Sequence, residues 1–145
     1  MILFWFRRDL RLEDNHGFFE ALQNNKPVLP IFIFDENILK QLPEDDARVS
    51  FIHDTLSDVN AQLKKHGKSL AVFYGKPIEI IKKLIKENKI EALYANRDYE
   101  PYARNRDKEV YEFLQSQQIE FKSFKDQVIF EKNEVVKDDG LPYVV

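Results

Sequence analysis

The chain has 145 residues, of which 43% are hydrophobic and twelve are phenylalanine, enough for one domain with a real core. A net charge of −3 argues against non-specific binding to nucleic acid or an anionic membrane by this chain alone, while leaving room for a local basic patch. The lack of cysteine excludes disulfides and thiolate metal sites. With no signal-peptide pattern and no apolar run of membrane-spanning length, a cytoplasmic protein is the default expectation.

The first apolar run, Ile2–Phe6, predicts a strand and stops at "RRDLRLEDN", where arginines and acids crowd together. A helix over 18–23 follows, with Asp14 or Asn15 as its cap. "VLPIFIF" predicts a second strand over 28–34. A long helix then runs over 47–66: Ile52, Leu56, Val59 and Leu63 recur at helical spacing, Asp45 or Asp46 can cap it, and Gly67 can end it. The third strand is read at 70–74. Pro77 suits the first position of the next helix, whose Ile78, Ile81, Leu84 and Ile85 share a face. The fourth strand falls at 92–95, and a helix over 102–116 turns Val110, Phe113 and Leu114 inward. A fifth strand over 119–124 alternates like a sheet edge, and 128–130 reads as strand or loop.

Strict alternation of strand and helix implies parallel strands joined by right-handed crossovers, and continuous apolar runs imply strands covered on both faces. The expected fold is α/β: a doubly wound, Rossmann-like sheet of five parallel strands with helices on both faces. In such sheets ligands sit beyond the carboxyl ends of the strands, where strand order reverses. The residues to read are therefore Arg7, Arg8 and Asp9 after the first strand, Asp35 and Glu36 after the second, Gly75 and Lys76 after the third, and Asn96, Arg97 and Asp98 after the fourth.

Each candidate constellation has a plainer reading beside it. Arg7, Arg8 and Arg11 suit an anion or a partner domain, since guanidinium forks bind carboxylate and phosphate bidentately; an internal network with Asp9, Glu13 and Asp14 is the plainer account. In "YANRDYEPYARNRD" a planar ligand would stack on a tyrosine while Asp98 or Glu100 accepts its hydrogen bonds, against a merely capped helix start. "GKP" at 75–77 matches no phosphate-loop pattern and reads as an ordinary turn. Ser50, His53, Asp54 and Ser57 share one helix, and a triad needs groups converging from different elements, so a solvated face is expected. His16, His53 and His66 have no metal-ligand spacing, and no metal is expected. Trp5 reads as core. A phospho-receiver domain wants acids after the first strand, where arginines stand.

"WFRRDLRLEDN", "ARVSFIHDTLSDVNAQL" and "NRDYEPYARNRD" resemble, in order and spacing, the N-terminal α/β domain of the DNA photolyase and cryptochrome family. The resemblance covers essentially the whole chain. It implies a domain over 1–135. The closing "GLPYVV", which ends on apolar residues, resembles the segment where family members leave this domain, so that 136–145 would begin a linker to a missing C-terminal helical domain. That domain binds FAD and splits pyrimidine dimers in damaged DNA under light, so the fragment is expected to be inactive alone and monomeric, with no membrane partner. The α/β domain of many members holds a second, light-harvesting (antenna) chromophore: folate, deazaflavin or flavin. The resemblance places Arg48 and Asp98 against a deazaflavin or flavin, with Arg8, Asp35, Glu36, Ile52 and Glu100 around the same pocket. Folate-binding members carry an Asn-Glu pair about where this chain has Tyr102-Ala103, which favours deazaflavin or flavin over folate. In the family the first loop also lies near the helical domain, giving Arg7, Arg8 and Arg11 a second role at the domain interface. The alternatives are a cryptochrome-type blue-light receptor, a stand-alone nucleotide-binding α/β protein of the universal-stress type, and a pure interaction module.

Overall fold

The computed structural model describes residues 1–7, 10–36, 47–98 and 101–125, without the side chains of 47–49. Five parallel strands, β1 (Ile2–Phe6), β2 (Val28–Asp35), β3 (Ala71–Gly75), β4 (Ala92–Asn96) and β5 (Glu120–Phe124), lie in the order β3-β2-β1-β4-β5. The four described helices are α1 (His16–Leu22), α2 (Ala47–Lys64), α3 (Pro77–Glu87) and α4 (Pro101–Ser116). The expected doubly wound α/β sheet is what the chain forms.

Strand β1 lies at the centre because it is apolar on both faces. Its side chains alternate across the sheet. Ile2, Phe4 and Phe6 join one core with Phe18 and Ala21 of α1 and Leu56, Val59 and Leu63 of α2. Leu3 and Trp5 join the other core with Ile81 and Leu84 of α3 and Val110 and Leu114 of α4. All five residues of β1 are buried, and burying each large side chain contributes about 1.5–3 kcal/mol. Crossovers before β3 thus use one face and those after it use the other, so winding reverses between β1 and β4.

The helix ends follow their sequence signals. Asn15 caps α1: its side-chain oxygen accepts the Phe18 N–H at 3.0 Å, starting the helix two residues before the expected 18. Pro77 opens α3 as expected. After α2 the chain turns at Gly67, φ +73°, and the Lys68 N–H reaches the Leu63 carbonyl at 3.0 Å. A Cβ at Gly67 would meet nothing within 4 Å. Gly67→Ala is therefore expected to lose only the backbone term, about 1–2 kcal/mol, read as a lower denaturant midpoint with an unchanged slope.

Strands β2 and β4 run one residue further than expected, because the pairs Asp35↔Gly75 and Asn96↔Phe124 extend the parallel ladders. Strand β3 also departs from the continuous-run reading. It is a sheet edge, and Val72 and Tyr74 remain 40% and 61% exposed on alternate positions. The alternation in β5 does mark an edge. Residues 128–130 and the proposed caps Asp45 and Asp46 lie outside the described residues.

Candidate functional site

Winding reverses between β1 and β4, so their adjacent tips, with β2 beside β1, are where ligands gather in sheets of this kind. Helix α4 starts at that edge and runs back over the sheet. Its inward stripe changes character accordingly: Val110 and Leu114 are fully buried over the sheet, while Tyr102, Arg106 and Asp107 stand at the carboxyl edge. Ala103, 2% exposed, is small enough for the helix to seat between the two zones.

Arg7 is delivered straight into this edge by β1. Its side chain is almost completely buried and donates to the Asn96 main-chain carbonyl and to the Asp107 carboxylate. Its guanidinium carbon lies 5.1 Å from the centre of the Trp5 ring, and that of Arg106 lies 4.8 Å from the same ring. Arg106 in turn reaches Asp107 at 3.4 Å and Asp98 at 3.5 Å. Burial and the neighbouring Arg7 charge lower the Arg106 pKa, and the two carboxylates oppose that shift. The cluster is thus two guanidiniums against two carboxylates, with an indole as its apolar base.

Two further contacts tie α4 and α1 to these strand tips. The Tyr102 hydroxyl donates to Asp35 Oδ2 at 2.5 Å, joining α4 to the tip of β2. On the α1 side, Asn96 donates to Asn15 Oδ1 at 2.7 Å and accepts the Gly17 N–H at 2.8 Å, joining α1 to the tip of β4.

Arg7 and Arg11 therefore have internal roles; Asp14 is among the partners expected from the sequence, whereas local sequence does not reveal the partners of Arg7. Arg7 pairs with Asp107, a hundred residues on, and with a β4 carbonyl; Arg11 donates to the Asp14 carbonyl at 3.2 Å. Trp5 is core, 1% exposed, yet also the platform for two cations.

The predicted site residues divide between two flanks. Asp35 and Asp98 belong to the α4 flank and are engaged there. Ile52 belongs to the α2 flank, partly buried against the core that holds Phe6 and Phe34. The first turns of α2 stand over the tip of β2, where the His53 ring stacks on Phe34 at 4.9 Å. Arg48 lies one helical turn before Ile52 on α2, and its side chain is outside the described residues. Glu36, half-buried, directly follows β2. Arg8 and Glu100 are outside the described residues. Ser50, His53, Asp54 and Ser57 are exposed on α2, the solvated face the sequence implied. Asn96 and Asp107 do more at this edge than their sequence context announced. Their signal lay in position, one at a strand tip and one on the inward stripe of the next helix.

The two flanks of the strand tips differ in character. Leu10, Leu12 and Ile52 are partly buried apolar groups packed on the first core, and the Glu36 carboxylate stands at the adjacent strand end. An apolar floor with a polar edge suits a fused ring bearing N–H groups. On the α4 flank Arg7, Arg106, Asp98 and Asp107 engage one another.

The family profile described as DNA photolyase matches residues 2–145. The chain belongs to the DNA photolyase family. It is 33% identical over 99% of its length to a deoxyribodipyrimidine photo-lyase from Synechococcus sp., of which it covers 30%. Against the deoxyribodipyrimidine photo-lyase of Agrobacterium fabrum the identity is 29% over 99% of this chain and 29% of that protein. Cryptochrome-1 of Aedes aegypti is 27% identical over 95% of this chain and 26% of that protein. Among solved structures, the photolyase of Sulfolobus tokodaii, solved with two FAD molecules and described as implying a novel light-harvesting cofactor, matches at TM-score 0.77 and 34% identity, covering 91% of this chain and 31% of that one. A class III photolyase from Agrobacterium tumefaciens matches at TM-score 0.77 and 27% identity, covering 98% of this chain and 29% of that one. This photolyase-family chain thus spans about 30% of the length of these relatives.

Proposed function

We propose that this domain is the light-harvesting part of a deoxyribodipyrimidine photolyase. In this reading it holds an antenna chromophore, deazaflavin or flavin rather than folate, beside a helical domain of the same protein that carries FAD and splits pyrimidine dimers in DNA. One observation carries the proposal: β2, β1 and β4 are neighbours, and among the described residues the α2 side of their tips presents an apolar floor with a polar edge. The chromophore would supply light absorption and excitation transfer, with no bond made or broken. The chain's own task is to fix a plane and exclude water. Ile52, with Leu10 and Leu12, supplies the dry floor over the core that holds Phe6 and Phe34, and Glu36 accepts from a ring N–H. Arg48, a turn before Ile52, brings a cation to the same end of α2. The sealed α4 flank serves as the rigid wall: Arg7 and Tyr102 lock α4 against the tips of β1, β2 and β4.

Photolyase is favoured over cryptochrome by the higher identity to the Synechococcus photo-lyase than to the Aedes cryptochrome. A stand-alone ATP binder of the universal-stress type is disfavoured, since the strand-to-helix turn at Gly75-Lys76-Pro77 lacks a glycine-rich phosphate loop.

Antenna content per FAD in the full-length protein tests this reading. Arg48→Ala and Ile52→Glu are each expected to lower it about tenfold, the worth of roughly one charge-assisted hydrogen bond or of one buried apolar side chain. Asp98→Ala is expected to lower it less, with a small drop in stability because Arg106 is left with one carboxylate fewer. Unchanged content in all three variants would refute the site.

A further inference from the structure

Between α4 and the edge strand β5 lies a cleft of about 490 Å³, inside the range of roughly 300–1,000 Å³ usual for small-ligand sites. Tyr111, 48% exposed, and Phe121, half-buried against the second core, give it aromatic walls. Arg97 at the end of β4 and Arg104 and Lys108 on α4 give it three cations. Arg104, Lys108 and Tyr111 are spaced four and three residues apart, so they share one stripe of the helix.

The acids in the cleft do not balance these cations. Asp107 is engaged by Arg7 and Arg106, and Asp98 by Arg106. Among the described residues no ion pair or side-chain hydrogen bond holds Arg97, Arg104 or Lys108. Three uncompensated cations around one concavity repel one another, and a bound polyanion relieves that repulsion. An exposed tyrosine on the same stripe offers a face for a flat heterocycle.

We propose that this cleft binds a nucleotide, its phosphate held by Arg97, Arg104 and Lys108 and its base stacked on Tyr111. Asp98 and the exposed Ser123 stand in the same cleft as acceptors for ribose hydroxyls. The site lies on the outer side of α4, away from Ile52 and α2; it shares only Asp98 with the antenna variants, and Asp98 is not varied in its test.

Calorimetric titration of the protein with AMP, and separately with inorganic phosphate, tests this directly. AMP is expected to bind with sub-millimolar affinity that weakens as salt is raised. Arg104→Gln together with Lys108→Gln is expected to weaken AMP and phosphate alike, by about tenfold for each charge-assisted hydrogen bond removed. Tyr111→Leu is expected to weaken AMP about tenfold and to leave inorganic phosphate unchanged. All three positions are exposed, so melting temperature should stay constant and confirm that the variants fold. Antenna content should also stay constant, which separates failure here from failure of the chromophore site. Absence of AMP binding, full affinity in the double variant, or an AMP affinity indifferent to Tyr111 would each overturn the proposal.

Discussion

Arg7→Ala is expected to destabilise the protein by about 3 kcal/mol, near the lower end of the cost of breaking a buried ion pair. Three effects combine. The Asn96 carbonyl at the tip of β4 is left without its charged donor, Asp107 keeps one cation instead of two, and Trp5 keeps one guanidinium near its ring instead of two. Two others hold the cost down. Asp107 is 22% exposed and keeps Arg106 at 3.4 Å, so its carboxylate is not stranded. Removing the Arg7 charge also relieves Arg106, whose pKa that charge lowers. Denaturant unfolding measures the total. A double-mutant cycle with Asp107→Asn isolates the pair, for which a coupling of about 1–3 kcal/mol is expected for residues in one network. Coupling near zero would show that Arg7 acts through the Asn96 carbonyl and Trp5 rather than through Asp107.

Gly17→Ala is expected to cost about 2–4 kcal/mol, combining overpacking with a broken buried hydrogen bond. A methyl at this position would stand 2.6 Å from Asn96 Oδ1 and 3.0 Å from Phe4 Cε1. Neither neighbour can yield cheaply. Asn96 Oδ1 accepts the Gly17 N–H, and its amide group donates to the residue that caps α1. Phe4 is fully buried and packs edge-on against Phe6 and Phe18, with ring centres 4.7 and 5.3 Å away. The clash therefore pushes α1 off the tip of β4 and opens the Asn15–Asn96 link as well. Asn96→Ala alone should break the link without the clash and cost less. If Gly17→Ala proved the milder of the two, α1 would be free to shift, and the close approach would not be what fixes it.

Much of the fold was legible because the signals were local and agreed with one another. The run Ile2–Phe6 is apolar at every position, which only a central strand covered on both faces tolerates. Asn15, Pro77 and Gly67 each mark a helix end by a backbone requirement. What stayed hidden depended on sheet order. Nothing near Arg7 announces Asp107, because the pairing exists only once β1 and β4 are neighbours and α4 folds back over them. The same holds for Tyr102 and Asp35. Strand β3 misled because an apolar run looks the same at an edge as in the middle.

The candidate site was legible as a region and only partly as a set of contacts. The rule that ligands gather at strand tips selected Asp35, Asp98 and the opening arginines from the sequence. It could not divide them between a flank sealed by α4 and a flank left to α2. That division follows from side-chain direction: Asp35 meets Tyr102 on α4, while Ile52 reaches the core beside Phe34.

As proposed, the α2 flank of the β2-β1-β4 tips receives a flat chromophore. A crystal structure of the protein loaded with riboflavin 5′-phosphate tests it most directly. The ring plane is expected against Ile52 and the first turns of α2, with the Arg7–Asp107 and Tyr102–Asp35 contacts unbroken. A ring bound on the α4 side through rupture of those contacts, or bound away from the strand tips altogether, would contradict it.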